Sequence, residues 1–131
     1  MEFLEPCLQS WYYSPTFFFL ITVGARVFAR WTNGLFYRGF VTKATDSQVF
    51  INYDDGGTIW LNKNDKNSVI LDKLPQPKSV LPGQRVISYW PGRVRFYPGT
   101  VKSRDSTGYF VEYDDGGERN NKIYDIRTIK E

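Results

Sequence analysis

Histidine is absent from this sequence of 131 residues, and cysteine occurs once, at Cys7. A disulfide within the chain, a zinc site built from Cys and His, and any triad with a histidine base are therefore excluded. One unpaired cysteine fits a reducing compartment, cytoplasm or nucleus. Long apolar runs are missing too. The most membrane-like stretch is FFFLITV, Phe17 to Val23, far short of the roughly 20 residues that a spanning helix needs. No membrane partner is implied. The first five residues carry Glu2 and Glu5 instead of the basic start of a secretory signal, and no small-residue cleavage site follows. Residues 1–23 read as an accessory segment that packs on the rest of the chain or on a partner, with cloning- or splice-derived sequence as the alternative. There is also no amphipathic helical run, and no glycine-rich phosphate loop opens a helix.

What the chain has is aromatic surface. Aromatic residues make up 18% and hydrophobic residues 41%, too much for a segment that stays disordered. Net charge is +3 with a pI near 9.0, a mild basic excess that does not choose a partner by itself. The strongest signal is an internal repeat. VFINYDDGG, from Val49, returns as YFVEYDDGG, from Tyr109; GARVFARW, from Gly24, returns as GQRVISYW, from Gly83; FYRGFV, from Phe36, returns as FYPGTV, from Phe96. The second copy gains one residue between Trp90 and Phe96, which reads as a loop.

Each copy has the pattern of short strands. Arg26 to Trp31, Leu35 to Lys43, Gln48 to Asp54, Thr58 to Asn62 and Ser68 to Leu71 are rich in β-branched and aromatic residues. Asn33-Gly34 and Asp55-Gly56 between them are hairpin signals, because these residues tolerate the positive φ of tight turns. Pro91-Gly92 and Asp115-Gly116 serve the second copy. Five short strands in some fifty residues predict a small, strongly bent barrel. KLPQPKSVLPG, Lys73 to Gly83, separates the copies, and its prolines are expected to stiffen the connection and forbid a continuous sheet. The expectation is an all-β chain of two five-stranded barrels in a fixed relation, residues 24–72 and 83–131, joined by a linker at 73–82.

Each copy resembles a Tudor domain, with its tryptophan ending the first strand, aromatic-Tyr-x-Gly on the second and aromatic-Asp-Asp-Gly after the third. The resemblance covers residues 24–131, and it is to tandem Tudor proteins of the chromatin type, with an SH3-like barrel fold. It implies that Trp31, Tyr37, Tyr53 and Asp55 line one cage for a methylated lysine, and that Trp90, Tyr97, Tyr113 and Asp115 line its counterpart. It also implies a non-enzymatic, nuclear binding module without cofactor or metal, whose partner is a methylated peptide or histone tail, working within a larger protein or complex. The residue types suit that ligand. Methylation leaves the ammonium charged but strips donors and hydration, so ring faces attract it at roughly 0.5 to 2 kcal/mol each. Many chromatin Tudor domains have a further aromatic two residues beyond the second aspartate. Here that position is Gly57 or Gly117. Trp60 is the expected replacement wall in the first copy, whereas the second has Asn120 there, which makes the first barrel the better pocket.

Simpler readings compete. Trp31 and Trp90 could fill barrel cores, Tyr53 and Tyr113 could be cross-strand packing residues, and Asp-Asp-Gly-Gly is often a solvated turn; only their combination points to a cage. Another reading is a nucleic-acid-binding surface, DNA or RNA: Arg85, Arg93, Arg95, Lys102 and Arg104 interleave with Tyr89, Trp90, Phe96 and Tyr97, and phosphate contact plus stacking needs that mixture. A methylarginine reader is a related option, disfavoured by the aspartates. Enzymatic use of Asp54 and Asp55 is weak, because neighbouring side chains on a strand or turn point apart.

Overall fold

Alternate side chains of a strand face opposite ways, so a strand with consecutive buried residues must lie between two apolar environments. The first strand, β1 (Arg26–Arg30), buries Val27, Phe28 and Ala29 between two exposed arginines. The computed structural model, which describes residues 21–91 and 95–129, shows the two environments. Val27 and Ala29 join Val41, Val49, Ile51, Tyr53 and Val69 inside a first barrel. Phe28 points out of it and packs with Phe36, Ile70, Ile87, Phe96 and Ile129.

The strands β1, β2 (Phe36–Ala44), β3 (Gln48–Tyr53) and β4 (Thr58–Asn62) form an antiparallel meander, and β5 (Val69–Leu71) returns to pair with β1. The second copy repeats this order with β6 (Arg85–Tyr89), β7 (Arg95–Asp105), β8 (Gly108–Tyr113), β9 (Glu118–Asn121) and β10 (Ile126–Thr128), which closes on β6. The strands expected in the first copy agree with those observed to within a residue at each end. In both copies the register shifts on the long second strand, between Val41 and Lys43 and between Val101 and Ser103. Such bulges bend a strand and let a short sheet curl on itself. The glycine of the aromatic-Tyr-x-Gly motif serves the same crossing. A Cβ at Gly39 would stand 2.6 Å from the Asn52 carbonyl oxygen, and one at Gly99 would stand 2.7 Å from that of Glu112.

One expectation is overturned. The sheet is continuous and ten-stranded, because β2 and β7 pair across the molecule through Phe36↔Phe96 and Tyr37↔Arg95. The prolines do keep residues 73–82 out of the ladders; that segment holds a short 3-10 helix, Pro77–Ser79, and contributes Val80 to the second barrel's core. The seam forms elsewhere, at the starts of the two longest strands, where no proline intervenes.

The Phe28 cluster is the joint between barrels, with Phe28, Phe36 and Ile70 on one side and Ile87, Phe96 and Ile129 on the other. Burying side chains of this size stabilises by about 1.5 to 3 kcal/mol each. Arg127 runs alongside with only 7% exposure. Its Nε donates to Asp72 at 2.9 Å, its Nη1 donates to the carbonyls of Tyr124 and Ile126, and its guanidinium lies 5.6 Å from the Phe28 ring and 5.9 Å from the Phe96 ring. Asp72 also forms an ion pair with Arg38 at 3.1 Å. Of the expected accessory segment 1–23, Ile21 packs against the first core, and residues 1–20 lie outside the described residues.

Candidate functional site

The repeat places its shared aromatics at one end of each barrel. Trp31 follows β1 and opens the Asn33-Gly34 turn, where its carbonyl accepts from the Gly34 N–H and its N–H donates to Leu35 O. Gly34 has φ +83°, the conformation that the asparagine-glycine pair foretold. Tyr37 stands on β2, Tyr53 ends β3, and Asp55 sits in the turn to β4. The structure brings these four together. Trp31 meets Tyr53 edge-on with centroids 5.4 Å apart, and Tyr37 meets Tyr53 edge-on at 6.3 Å. With Asn33, Asp55 and Gly57 the three rings line an open cleft of about 250 Å³.

The two aspartates divide their work. Asp54 forms a two-pronged pair with Arg26 at 2.8 and 2.9 Å, which holds its carboxyl below the usual carboxylate range. Asp114 and Arg85 repeat that pair at 2.7 Å in both prongs. Asp55 turns the other way, and one of its oxygens accepts the Gly57 N–H at 3.1 Å. Its second oxygen takes no hydrogen bond among the described residues, so it is available at the cleft rim.

Asn33, a turn residue by its sequence signature, also lines the cleft. Its amide donates to the Tyr37 hydroxyl at 2.8 Å, and Arg95 of the second barrel donates to the same oxygen at 3.4 Å. Burial alone would raise the Tyr37 phenol, but those two hydrogen bonds outweigh it and hold the phenol below its ordinary pKa. Tyr53 goes the other way. Burial, with Asp55 nearby, pushes its phenol well up, and its hydroxyl has no hydrogen-bond partner.

Trp60 is a correction. It sits on β4 between Ile59 and Leu61, which face the first core, so strand alternation turns the indole outward. There it packs on Phe50 with centroids 5.0 Å apart and takes no part in the cleft. The side next to Gly57 stays open.

In the second barrel Trp90, Tyr97, Tyr113 and Asp115 are also brought to one end, with a different placement of the indole. Trp90 lies 5.5 Å from Tyr113 and 6.5 Å from Tyr97, and those two tyrosines are 6.1 Å apart. The indole leans over Gly117, 3.8 Å from where a Cβ would stand, whereas Trp31 makes no such approach to Gly57. Asp115 caps its turn as Asp55 does, on the Gly117 N–H at 3.2 Å. The Tyr113 hydroxyl has partners that Tyr53 lacks: Ser88, Asn121 and the Tyr89 carbonyl, at 3.2, 3.3 and 3.2 Å. The corresponding places in the first barrel hold Ala29 and Leu61.

The expected basic surface does not come together as a free stripe. Arg85 is committed to Asp114 and Thr100, Lys102 to Glu118 at 3.2 Å, and Arg104 to the carbonyls of Pro77 and Val80. Arg95 donates to Tyr97 at 3.2 Å as well as to Tyr37. The acidic partners, Asp114 and Glu118, lie beyond residues 83–104, a stretch that itself contains no acid. Arg93 lies outside the described residues. Among the described residues no group of His, Cys, Asp and Glu is placed to hold a metal ion, and no helix is long and apolar enough to cross a membrane.

No family model and no curated protein matches this chain. Solved structures do match in fold. The crystal structure of Arabidopsis thaliana AGDP1 AGD34 superposes with a TM-score of 0.55 at 9% identity, covering 85% of this chain and 84% of that one. The crystal structure of ADCP1 tandem Agenet domain 3-4 gives a TM-score of 0.53 at 10% identity, over 85% and 82% of the two chains. This chain therefore has the tandem arrangement of Tudor-like barrels seen in those Agenet pairs.

Proposed function

We propose that this chain is a non-enzymatic reader whose first barrel holds a methylated lysine side chain of a protein tail, with a histone tail in the nucleus as the expected setting. The observation that carries this reading is the cleft of Trp31, Tyr37 and Tyr53, open to solvent, with an uncommitted Asp55 oxygen at its rim. A methylated ammonium between ring faces gains cation–π attraction without losing the hydration that holds plain lysine in water. Asp55 accepts the N–H that a mono- or dimethylammonium keeps and a trimethylammonium lacks. The open side at Gly57 points the same way, because a trimethyl group depends more on complete aromatic enclosure. Lower methylation states are therefore the preferred ligand.

The second barrel acts chiefly as support in this reading, since Trp90 already leans across its own ring cluster. A calorimetric titration with mono-, di- and trimethyllysine peptides, with symmetric dimethylarginine peptides as competitors, tests it. Binding of the dimethyl form that Trp31→Ala abolishes in a folded chain supports the reading. Unfolding by Trp31→Ala means that the indole is packing only, and a larger loss from Trp90→Ala moves the site to the second barrel.

A further inference from the structure

Tyr37 and Asp55 line two spaces at once. On one side is the cage cleft; on the other is a groove of about 600 Å³ between the barrels, floored by Phe96 and Tyr89 and walled on the far side by Tyr124 and Asp125. A peptide whose methylated side chain enters the cleft therefore has a continuous path across the seam.

Charge decides what that path accepts. The groove is lined by Asp54, Asp55 and Asp125 against a single cation, Arg38, although the whole chain carries +3. Asp54 pairs with Arg26, and Arg38 shares Asp72 with Arg127. Among the described residues, the lining carboxylates to which no cation donates a hydrogen bond are Asp55 at the cage and Asp125 on the second barrel. The Asp125 side chain is only 18% exposed, and its ion partner, Arg119, stays 3.9 Å away. Its Nη1, the nitrogen nearest Asp125, donates to the Tyr89 carbonyl and to Asn121 instead. No hydrogen bond reaches the Asp125 carboxylate among the described residues. A carboxylate so far withdrawn from water gains strongly from a cation that brings its own donors. Beside it Tyr124 offers a ring 62% exposed, and a planar guanidinium can stack on such a face while it hydrogen-bonds the acid, which an ammonium does less well.

We propose that the groove is a second subsite of the reader, in which Asp125 and Tyr124 receive an unmodified arginine a few residues from the methylated lysine. The proposal rests on the first-barrel cage reading and adds a sequence requirement to it. Like charge along the groove disfavours nucleic acid there.

The test uses the full chain and synthetic glycine-serine dodecapeptides, each with one dimethyllysine and with either no arginine or one arginine two to six residues to either side. One spacing is expected to bind about five- to tenfold more tightly than the arginine-free peptide. Asp125→Asn should reduce that peptide to the arginine-free level, and Tyr124→Ala should remove part of the gain. An equal affinity at every spacing overturns the proposal while leaving the cage reading intact, and so does a gain that survives Asp125→Asn. A tightening that persists when dimethyllysine is replaced by plain lysine, or no binding of any peptide, takes down the cage reading and the subsite with it. The spacing scan is read on the unaltered chain, so the outcome does not hang on either variant folding.

Discussion

Tyr53 and Tyr113 hold the same place in the two barrels, yet only Tyr113 has partners for its hydroxyl. A buried, unsatisfied polar group costs about 1 to 3 kcal/mol, whereas a satisfied one contributes about 1. Tyr53→Phe is accordingly expected to leave stability unchanged or raise it, and Tyr113→Phe to lower it by about 1 kcal/mol. Urea denaturation of the two variants checks this, and a larger loss for Tyr53→Phe would contradict it. Asp55→Asn keeps the shape of the rim while removing its charge, so it should weaken dimethyllysine binding more than trimethyllysine binding; peptide titrations giving equal losses would reduce Asp55 to long-range attraction. The candidate cage residues could be read from sequence because three motifs recur in order, and chance seldom repeats a combination. Asn33 was hidden because asparagine-glycine already had a sufficient explanation as a turn. Trp60 misled because nearness in sequence to Gly57 was given more weight than strand parity, which sends the indole to the opposite face from Ile59 and Leu61.

The strands themselves were legible, since alternation and turn chemistry act within a few residues. Their seam was not. Phe36 and Phe96 look like any other strand residue in sequence, and only the folded edges bring them opposite one another. The ion pair beside the seam makes an asymmetric prediction. Asp72→Ala leaves the Arg127 guanidinium buried without its acid, at a cost of about 3 kcal/mol. Arg127→Met instead places an apolar chain between Phe28 and Phe96 and leaves Asp72 with Arg38, so it should cost less than about 1 kcal/mol. Thermal unfolding of both variants decides, and the reverse ranking would show that the pair stabilises by its own attraction.

For the whole molecule, the absence of histidine and the direction of the shifted groups set the pH response. Asp54, Asp65, Asp105 and Asp114 are all held below their ordinary range, each chiefly by its side-chain hydrogen-bond partner: Arg26, Ser68, Thr107 and Arg85. A depressed acid stabilises the fold above its unfolded pKa of about 3.9, and that contribution is lost as pH falls through the lower folded value. Tyr53 is raised strongly by burial, so its contribution is complete below about pH 10 and is lost as pH climbs towards the folded value, a loss that the smaller, opposite shift of Tyr37 offsets only in part. Stability should therefore be flat from about pH 5 to 9 and fall on both sides. A slope near pH 6.5 in denaturant midpoints would contradict this. The joined sheet and the Phe28 cluster connect the two barrels at the seam and not through the proline segment from which a fixed relation was expected.

The cage itself is most directly tested by intermolecular NOE spectroscopy between the methyl protons of a dimethyllysine peptide and the aromatic protons of the chain. Cross-peaks from the methyl groups to Trp31, Tyr37 and Tyr53 are expected. Cross-peaks to Trp90, Tyr97 and Tyr113, or to the outward-facing Trp60 and Phe50, would contradict a first-barrel cage.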